Sequence, residues 1–591
     1  MRVIKTKDRS KLIQAAMGKI PCDLTIGNVQ FLNVITGEIY PASVDILDGF
    51  VVLVREEGQE PALPAKKYYD GCGRYLIPGF IDTHVHVEST MMIPENLSRA
   101  ILPWGTTTIC TDPHEIGNVM GVEGVEFMLD NAKKSKLRQY VLAPSCVPSV
   151  PGLENAGAEF GAAEIGRLLD MDNVVGIAEI MDYVGVINDT ERMHSIIEEG
   201  VKRGMFLQGH APYCTGKELA AYLIGGPVSD HESVSEDEVR AKLRAGMHIN
   251  LRASSLIDSL SFLVDGCKDM PWRDFVSVCT DDVHAKDLLT VGHINKVVGK
   301  AIAAGLDGKE VIKLATLNAA REYGFADLGA IAPGYIADIQ LVDALDGSRP
   351  KAVFVEGELV AEDGKYLGSD SMGEAYDLPN TVNIPQLSGS DYFRLRVPEG
   401  YSGSTVTVNV MTPVPGSRIL RHVVPTELPV KDGAVDISGD ASLCFVCCAN
   451  RYGLGSKTIA VYRNFGLLTG ALASTISHDS HNLTVCYRSA DDAWLAAETL
   501  RNCGGGVCAA NNGSETHIEL PAAGLMSQKP CAEVAQDIAE VQKAVDVISG
   551  GALTLLASAI IALPVLPSVV ITDMGLVDGT TQSFVPVFAD M

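Results

Sequence analysis

His84 and His86 stand one residue apart at the end of an apolar run, LIPGFIDTHVH. On a strand, residues two apart share a face, so both imidazoles aim at one point. Two imidazoles so placed are half of a metal site, because neutral imidazole suits zinc, iron and related ions. Four more candidate ligands lie downstream: Glu179 in VVGIAEI, His210 in FLQGHAP, His231 in VSDHES and Asp281 in VSVCTDD. Singly, each is an ordinary capping or hydrogen-bonded residue. Their common feature is position, since each follows a short apolar run.

Strands are expected at 76–82, 106–110, 140–144, 174–179, 205–210, 228–231, 248–251 and 275–280, with helical segments such as 121–132 and 189–202 between them. Eight strands alternating with helices over about 250 residues is the size of a (β/α)8 TIM barrel. No Gly-rich fingerprint follows the first strand, which sets aside a dinucleotide-binding sheet. In a barrel the carboxyl ends of all strands meet on one face. Four His, one Glu and one Asp would then converge in one bowl.

The flanks divide the rest of the chain. Residues 1–21 read as an amphipathic helix. Residues 22–75 and 330–384 are both β-rich and are expected to form one small sheet domain from two separated segments, around a barrel at 76–329. From 385 to 591 strand-like and helical runs mix, as in an α+β domain. The uncharged stretch GALTLLASAIIALPVLPSVVIT is long enough to span a bilayer, but Pro564 and Pro567 interrupt it and no basic cluster flanks it. A buried helix, then proline, then a strand is the expectation.

The 591 residues are too many for one core. A net charge of −27 argues against nucleic acid or an anionic membrane as partner, since both need a basic footprint. Fourteen scattered Cys and the absence of an apolar leader in MRVIKTKDRSKLIQAAMG point to reduced thiols in a cytoplasm. The pair His86-Val87-Glu88 and Cys444-Phe445-Val446-Cys447 imitates the zinc nucleobase deaminase signature, but Leu443 replaces its proline and the two pieces fall in different domains. ASLCFVCC is a buried strand instead.

The pattern of His-X-His after the first strand, His after the fifth and sixth and Asp after the eighth resembles the amidohydrolase superfamily. PGFIDTHVHVEST, TDPHEIGNVMG, CTDDVHAKDLL, SHDSHN and ELPAAGLMS together resemble, more narrowly, the bacterial adenine deaminases. The likeness runs over nearly the whole chain. It implies hydrolysis of adenine to hypoxanthine and ammonia, a purine salvage reaction, at a binuclear centre. It implies that His84, His86 and Asp281 hold one ion and His210 and His231 the other. Glu179 stands where many relatives carry a bridging Lys, so a carboxylate bridge is implied. Manganese is the first expectation for the two divalent ions, with iron or zinc as alternatives.

A metal supplies hydroxide by lowering the pKa of water. Asp281 is the candidate to carry its proton to the departing amine. For the ring proton Glu88, His114, Glu115 and Asp282 stay open; Glu115 also reads as a helix-start carboxylate. His114, Asp282, His284, His478, Asp479 and His481 are expected to face the substrate, the last three on a C-terminal loop reaching the barrel mouth. Adenine is the expected small-molecule partner; oligomeric state is not written in the sequence, and a homodimer is carried as an expectation. Two competing readings are hydrolysis of a cyclic amide such as a hydantoin or dihydroorotate, whose enzymes typically carry the bridging Lys, and a scaffold without catalysis.

Overall fold

Pro78 and Gly79 split the first apolar run between two sheets. Tyr75–Pro78 pairs antiparallel with Ile339–Val342 and parallel with Cys22–Asn33, and only Phe80–His86 enters the parallel set. The single strand expected at 76–82 is therefore two. The break is steric: the Gly79 amide turns to donate to the Asp338 carbonyl at 2.9 Å, and a Cβ there would stand 2.2 Å from the Thr107 hydroxyl. The computed structural model describes residues 6–58, 61–255, 259–368, 376, 378–385, 389–417 and 419–589.

Eight parallel strands position the candidate site. They are β1 (Phe80–His86), β2 (Thr106–Thr111), β3 (Arg138–Ala143), β4 (Val174–Ile180), β5 (Phe206–Gly209), β6 (Ser229–Asp230), β7 (His248–Arg252) and β8 (Val276–Cys279). Strands β1 to β5 form one curled ladder and β6 to β8 another. Past β8, Asp281 and Asp282 pair with Val85 and His86 of β1, and the Val228 amide donates to the Leu207 carbonyl of β5 at 3.0 Å. Both edges of the short ladder are thus tied to the long one, and the carboxyl ends of all eight strands face the same way. Helices cover the outside: Ile165, Leu168, Ile196 and Leu219 pack on one arc, and Leu263, Val264, Val297 and Val298 on the opposite one. The helix expected at 121–132 begins earlier, as His114–Ala132, with a kink where Gly121 takes φ 64°.

The flanking sheet has nine strands. Cys22–Asn33, Glu38–Leu47, Phe50–Glu56, Ala65–Asp70 and Tyr75–Pro78 come from before β1, and Ile339–Val342, Ala352–Val355, Glu358–Glu362 and Lys365–Tyr366 from after β8. The N-terminal helix spans Thr6–Ala16; residues 1–5 lie outside the described residues. A third layer is a nine-stranded mixed sheet from Thr405–Pro413 to Ser514–Glu519, with helices Ala490–Cys503 and Cys531–Ser549. One apolar cluster runs without interruption from Val85, Met92 and Ile101 into Leu472, Leu525 and Val534. That continuity seats the third layer on the rim of the parallel strands.

The buried helix expected within 551–572 is absent. Residues 551–568 turn repeatedly, with Ala557, Ala559 and Ile561 amides bonded three residues back, before the strand Val569–Ile571. Pro564 and Pro567 remove helix donors, and the backbone groups serve tertiary partners instead: the Ala559 carbonyl accepts from the His478 amide at 2.9 Å. Among the described residues no helix is long and apolar enough to cross a membrane. Cys444 and Cys447 are buried free thiols on the strand Leu443–Ala449.

Candidate metal centre

β1 ends in His84 and His86, both buried, and hydrogen bonds fix how each ring is turned. His84 Nδ1 donates to Gln208 Oε1 at 2.9 Å and His86 Nδ1 to the Asp112 carbonyl at 3.0 Å. Each ring then presents the lone pair of Nε2 inward. Those two atoms are 3.1 Å apart, and Asp281 Oδ1 lies 3.6 Å from the first and 3.3 Å from the second. Three electron pairs facing one another across such gaps repel unless a cation sits among them. Outer-shell donors that hold a ligating imidazole in one tautomer are the usual support of a metal site.

Glu179, near the end of β4, divides its two oxygens between this group and a second. Oε1 is 3.5 Å from His86 Nε2. Oε2 is 3.2 Å from His231 Nε2 and lies against His210 Nδ1. His84, His231 and Asp281 form one set within ligand reach, and Glu179, His210 and His231 another. The His84 and His231 rings stack at 4.0 Å between centroids, which joins the sets. The donors are nitrogen and oxygen, so the residues present fit two divalent ions bridged by Glu179.

The electrostatics agree with that geometry. Burial alone would raise Glu179 and Asp281, but His210 and His231 hold the first, and His84, His86 and Arg252 the second, well below the carboxylate range. Burial alone would lower His84 and His86; Asp281 and Glu179 raise both. His231 is pushed down to about 4 by burial and by its neighbour His84. Arg252, at the end of β7, donates to Asp281 Oδ2 at 2.9 Å and also contacts Glu232.

Asp281 has φ 61°, a left-handed conformation that costs a non-glycine residue strain. The backbone pairing with β1 holds it there, aiming the carboxylate at His84 and His86. Asp282 faces elsewhere and accepts from Ser89 Oγ. Ser89 also bonds to Glu115 Oε1 at 3.1 Å. Glu88 Oε1 accepts from the Ile116 amide at 3.2 Å, while its Oε2 is buried with no hydrogen-bond partner among the described residues. Burial, and then the neighbouring Glu115, push the Glu88 carboxyl up to about 8. His284 is half-buried just before the helix Ala285–Thr290, with its Nε2 enclosed and unbonded among the described residues.

The C-terminal loop reaches this face. His114 Nε2 is 3.4 Å from Asp479 Oδ1, and His481 Nε2 is 3.6 Å from Glu115 Oε2. Asn482 anchors the loop, donating to the Asn155 carbonyl at 2.8 Å.

Sequence reasoning passed over Asp112, Gln208, Asp230, Lys242 and Arg252. Asp112 and Arg252 stand at strand ends, the same signal that found the ligands. Lys242 carries no such signal. It sits on an outer helix, wholly buried, and donates to the Ala211 carbonyl at 2.7 Å, Asp230 at 2.9 Å, Ser233 at 3.2 Å and Glu238 at 2.6 Å.

Residues 75–360 match the amidohydrolase family and residues 418–583 the adenine deaminase C-terminal domain. The chain is 37% identical to adenine deaminase 2 of Carboxydothermus hydrogenoformans over 98% of this chain and 99% of that protein. It is 37% identical to the adenine deaminase of Moorella thermoacetica over 96% of each. Against the adenine deaminase of Methanothermobacter thermautotrophicus it is 37% identical over 93% of this chain and 97% of the other. With both family matches present and relatives 37% identical over nearly the whole of each chain, the chain belongs to the adenine deaminase family of the amidohydrolases.

Proposed function

We propose that this protein deaminates adenine, taking adenine and water to hypoxanthine and ammonia. The observation that carries the reading is Glu179 with one oxygen toward His86 and the other toward His210 and His231, in a chain that aligns over nearly its whole length with adenine deaminases. We infer further that the two ladders close as a (β/α)8 barrel. His84, His86 and Asp281 would hold one ion, His210 and His231 the other, and Glu179 would bridge them. Imidazole and carboxylate donors suit manganese, iron or zinc, and manganese is the ion assigned first. When bound, the ions supply Lewis acidity that makes a water acidic near neutral pH.

The chain's own residues do the rest. Asp281 sits among the ligands and takes the proton that water gives up as it adds to C6. It passes that proton to the exocyclic amine, which must leave as ammonia. Arg252 keeps Asp281 anionic and oriented for this. The ring nitrogen also needs a proton as C6 becomes tetrahedral. Glu88 is placed to give it, and to take back the hydroxyl proton as the C6 carbonyl forms and ammonia leaves, with one oxygen pinned by the Ile116 amide and the other free and buried, while Ser89 holds Glu115 and Asp282 beside it. The C-terminal loop covers the bowl and excludes bulk water. The deamination belongs to purine salvage. Loss of the adenine absorbance on incubation with manganese-loaded protein tests the reading. Hydrolysis of dihydroorotate or hydantoin with adenine left intact would overturn it.

A further inference from the structure

His114, His478 and Asp479 stand beside the proposed binuclear centre, and their geometry is that of ligands rather than of a hydrogen-bonded cluster. All three are buried, and one ligand atom from each lies within 4.8 Å of the others. Ligand atoms about 2.0–2.2 Å from a common ion sit about 3 to 3.6 Å from one another, or slightly more in an open site. His114 Nε2 and Asp479 Oδ1 are 3.4 Å apart, and His478 Nδ1 and Asp479 Oδ1 are 3.9 Å apart. Neither ring nitrogen of His114 makes a hydrogen bond among the described residues, and nor does Asp479 Oδ2. Buried polar atoms without partners are rare and ask for an explanation.

The tautomer of His114 sharpens the point. Its Nδ1 has Asp112 Oδ2 at 3.2 Å and Glu179 Oε1 at 3.5 Å, two acceptors on one side. A ring hydrogen on that side, facing two carboxylates, leaves Nε2 with a lone pair toward a carboxylate oxygen. An imidazole backed by a carboxylate on its far nitrogen is the common outer-shell arrangement of a ligating histidine. The neighbouring trio of Glu115, His478 and His481 does not share it. His481 Nδ1 accepts from the Ser477 amide at 3.3 Å, so Nε2 carries the hydrogen and faces Glu115 as a donor.

We propose a third divalent-cation site formed by His114 Nε2, a ring nitrogen of His478 and Asp479 Oδ1. Two imidazoles and a carboxylate suit manganese, iron or zinc. His114 opens the helix after β2 and the other two come from the loop between strands Ala471–Ser474 and Leu483–Tyr487, so the ion would fasten the C-terminal layer over the bowl. With three protein ligands it would keep open positions toward that bowl. The site rests on its own geometry and stands whether or not adenine is the substrate.

The test is metal counting by mass spectrometry on protein grown with manganese and dialysed against metal-free buffer. It uses the full-length chain and its His478→Ala and Asp479→Asn variants, each with its circular dichroism and melting curve. The wild type should hold three ions per chain and each folded variant two. His478→Gln, close in size, covers the case in which the alanine variant does not fold. Two ions in wild type and variants alike would overturn the third site while leaving the binuclear centre intact. So would a folded variant that keeps every ion and loses only adenine affinity, since His478 would then be a substrate contact. Three ions in a protein that leaves adenine untouched would support the site and sink the deaminase reading alone.

Discussion

Lys242 Nζ donates to the carbonyl of Ala211, 2.7 Å away, and so grips the residue that follows His210. The same ammonium donates to Asp230, the residue before His231, and Asp230 Oδ1 accepts from the Ala211 amide at 2.9 Å. One buried cation therefore staples the two loops that carry the second half of the ligand set. Lys242→Met keeps the length and loses the charge, leaving Asp230 and Glu238 buried without their partner. Breaking a buried ion pair from one side costs about 3–5 kcal/mol. The variant should unfold at lower denaturant by that order and hold fewer ions after dialysis. Unchanged metal content in a folded variant would show that the staple does not position His210 and His231.

Glu179→Gln should weaken metal retention and abolish turnover. The amide keeps the shape, but presents one oxygen and one N–H where two oxygens are needed. Metal content and adenine turnover are read on the same preparation. Activity within a few fold of wild type would mean that another acid bridges the halves.

Asp281→Asn should lose turnover by about 10²–10⁴-fold or more while the protein stays folded, since an amide takes no proton at neutral pH. Asp282→Asn should cost less, because that side chain bonds Ser89 rather than facing His84 and His86. The comparison is kinetic, with metal content measured for both. A dead Asp282→Asn beside a nearly normal Asp281→Asn would reassign the proton carrier.

Chelation should lower the melting temperature. Asp281, Glu179 and four imidazoles converge with lone pairs inward, and an ion bound only by the folded state stabilises it by mass action, by about 2.7 kcal/mol at a hundred times its dissociation constant. Melting curves before and after chelator, and again after manganese is restored, check this. A melting temperature indifferent to the chelator would argue that the bowl holds no ion.

Much of the site was legible because a strand's period is two and its end is marked by the first polar residues after an apolar run. That arithmetic put His84 and His86 on one face and placed Glu179, His210, His231 and Asp281 at strand ends, where the structure has them beside one another. It errs where chain continuity hides a change of sheet, at Pro78-Gly79, and where an apolar, proline-interrupted stretch imitates a helix although its amides close short turns and a carbonyl such as that of Ala559 goes to a tertiary partner. Strand alternation separates Asp281 from Asp282, but it could not foresee the left-handed turn at Asp281 that aims its carboxylate.

By itself the sequence determined which side chains could be ligands, because residue type and local period are local facts. Tertiary structure alone decided which nitrogen of His84 and His86 faces inward, because that depends on Gln208 and on the Asp112 carbonyl, which lie on other strands or loops. It alone brought His478 and Asp479 to His114 across several hundred residues, and buried Lys242 between two ligand loops. Hydrogen bonds and ion pairs between distant segments leave no period in the sequence. They appear only when burial removes water as the competing partner and the folded chain must satisfy each polar group from within.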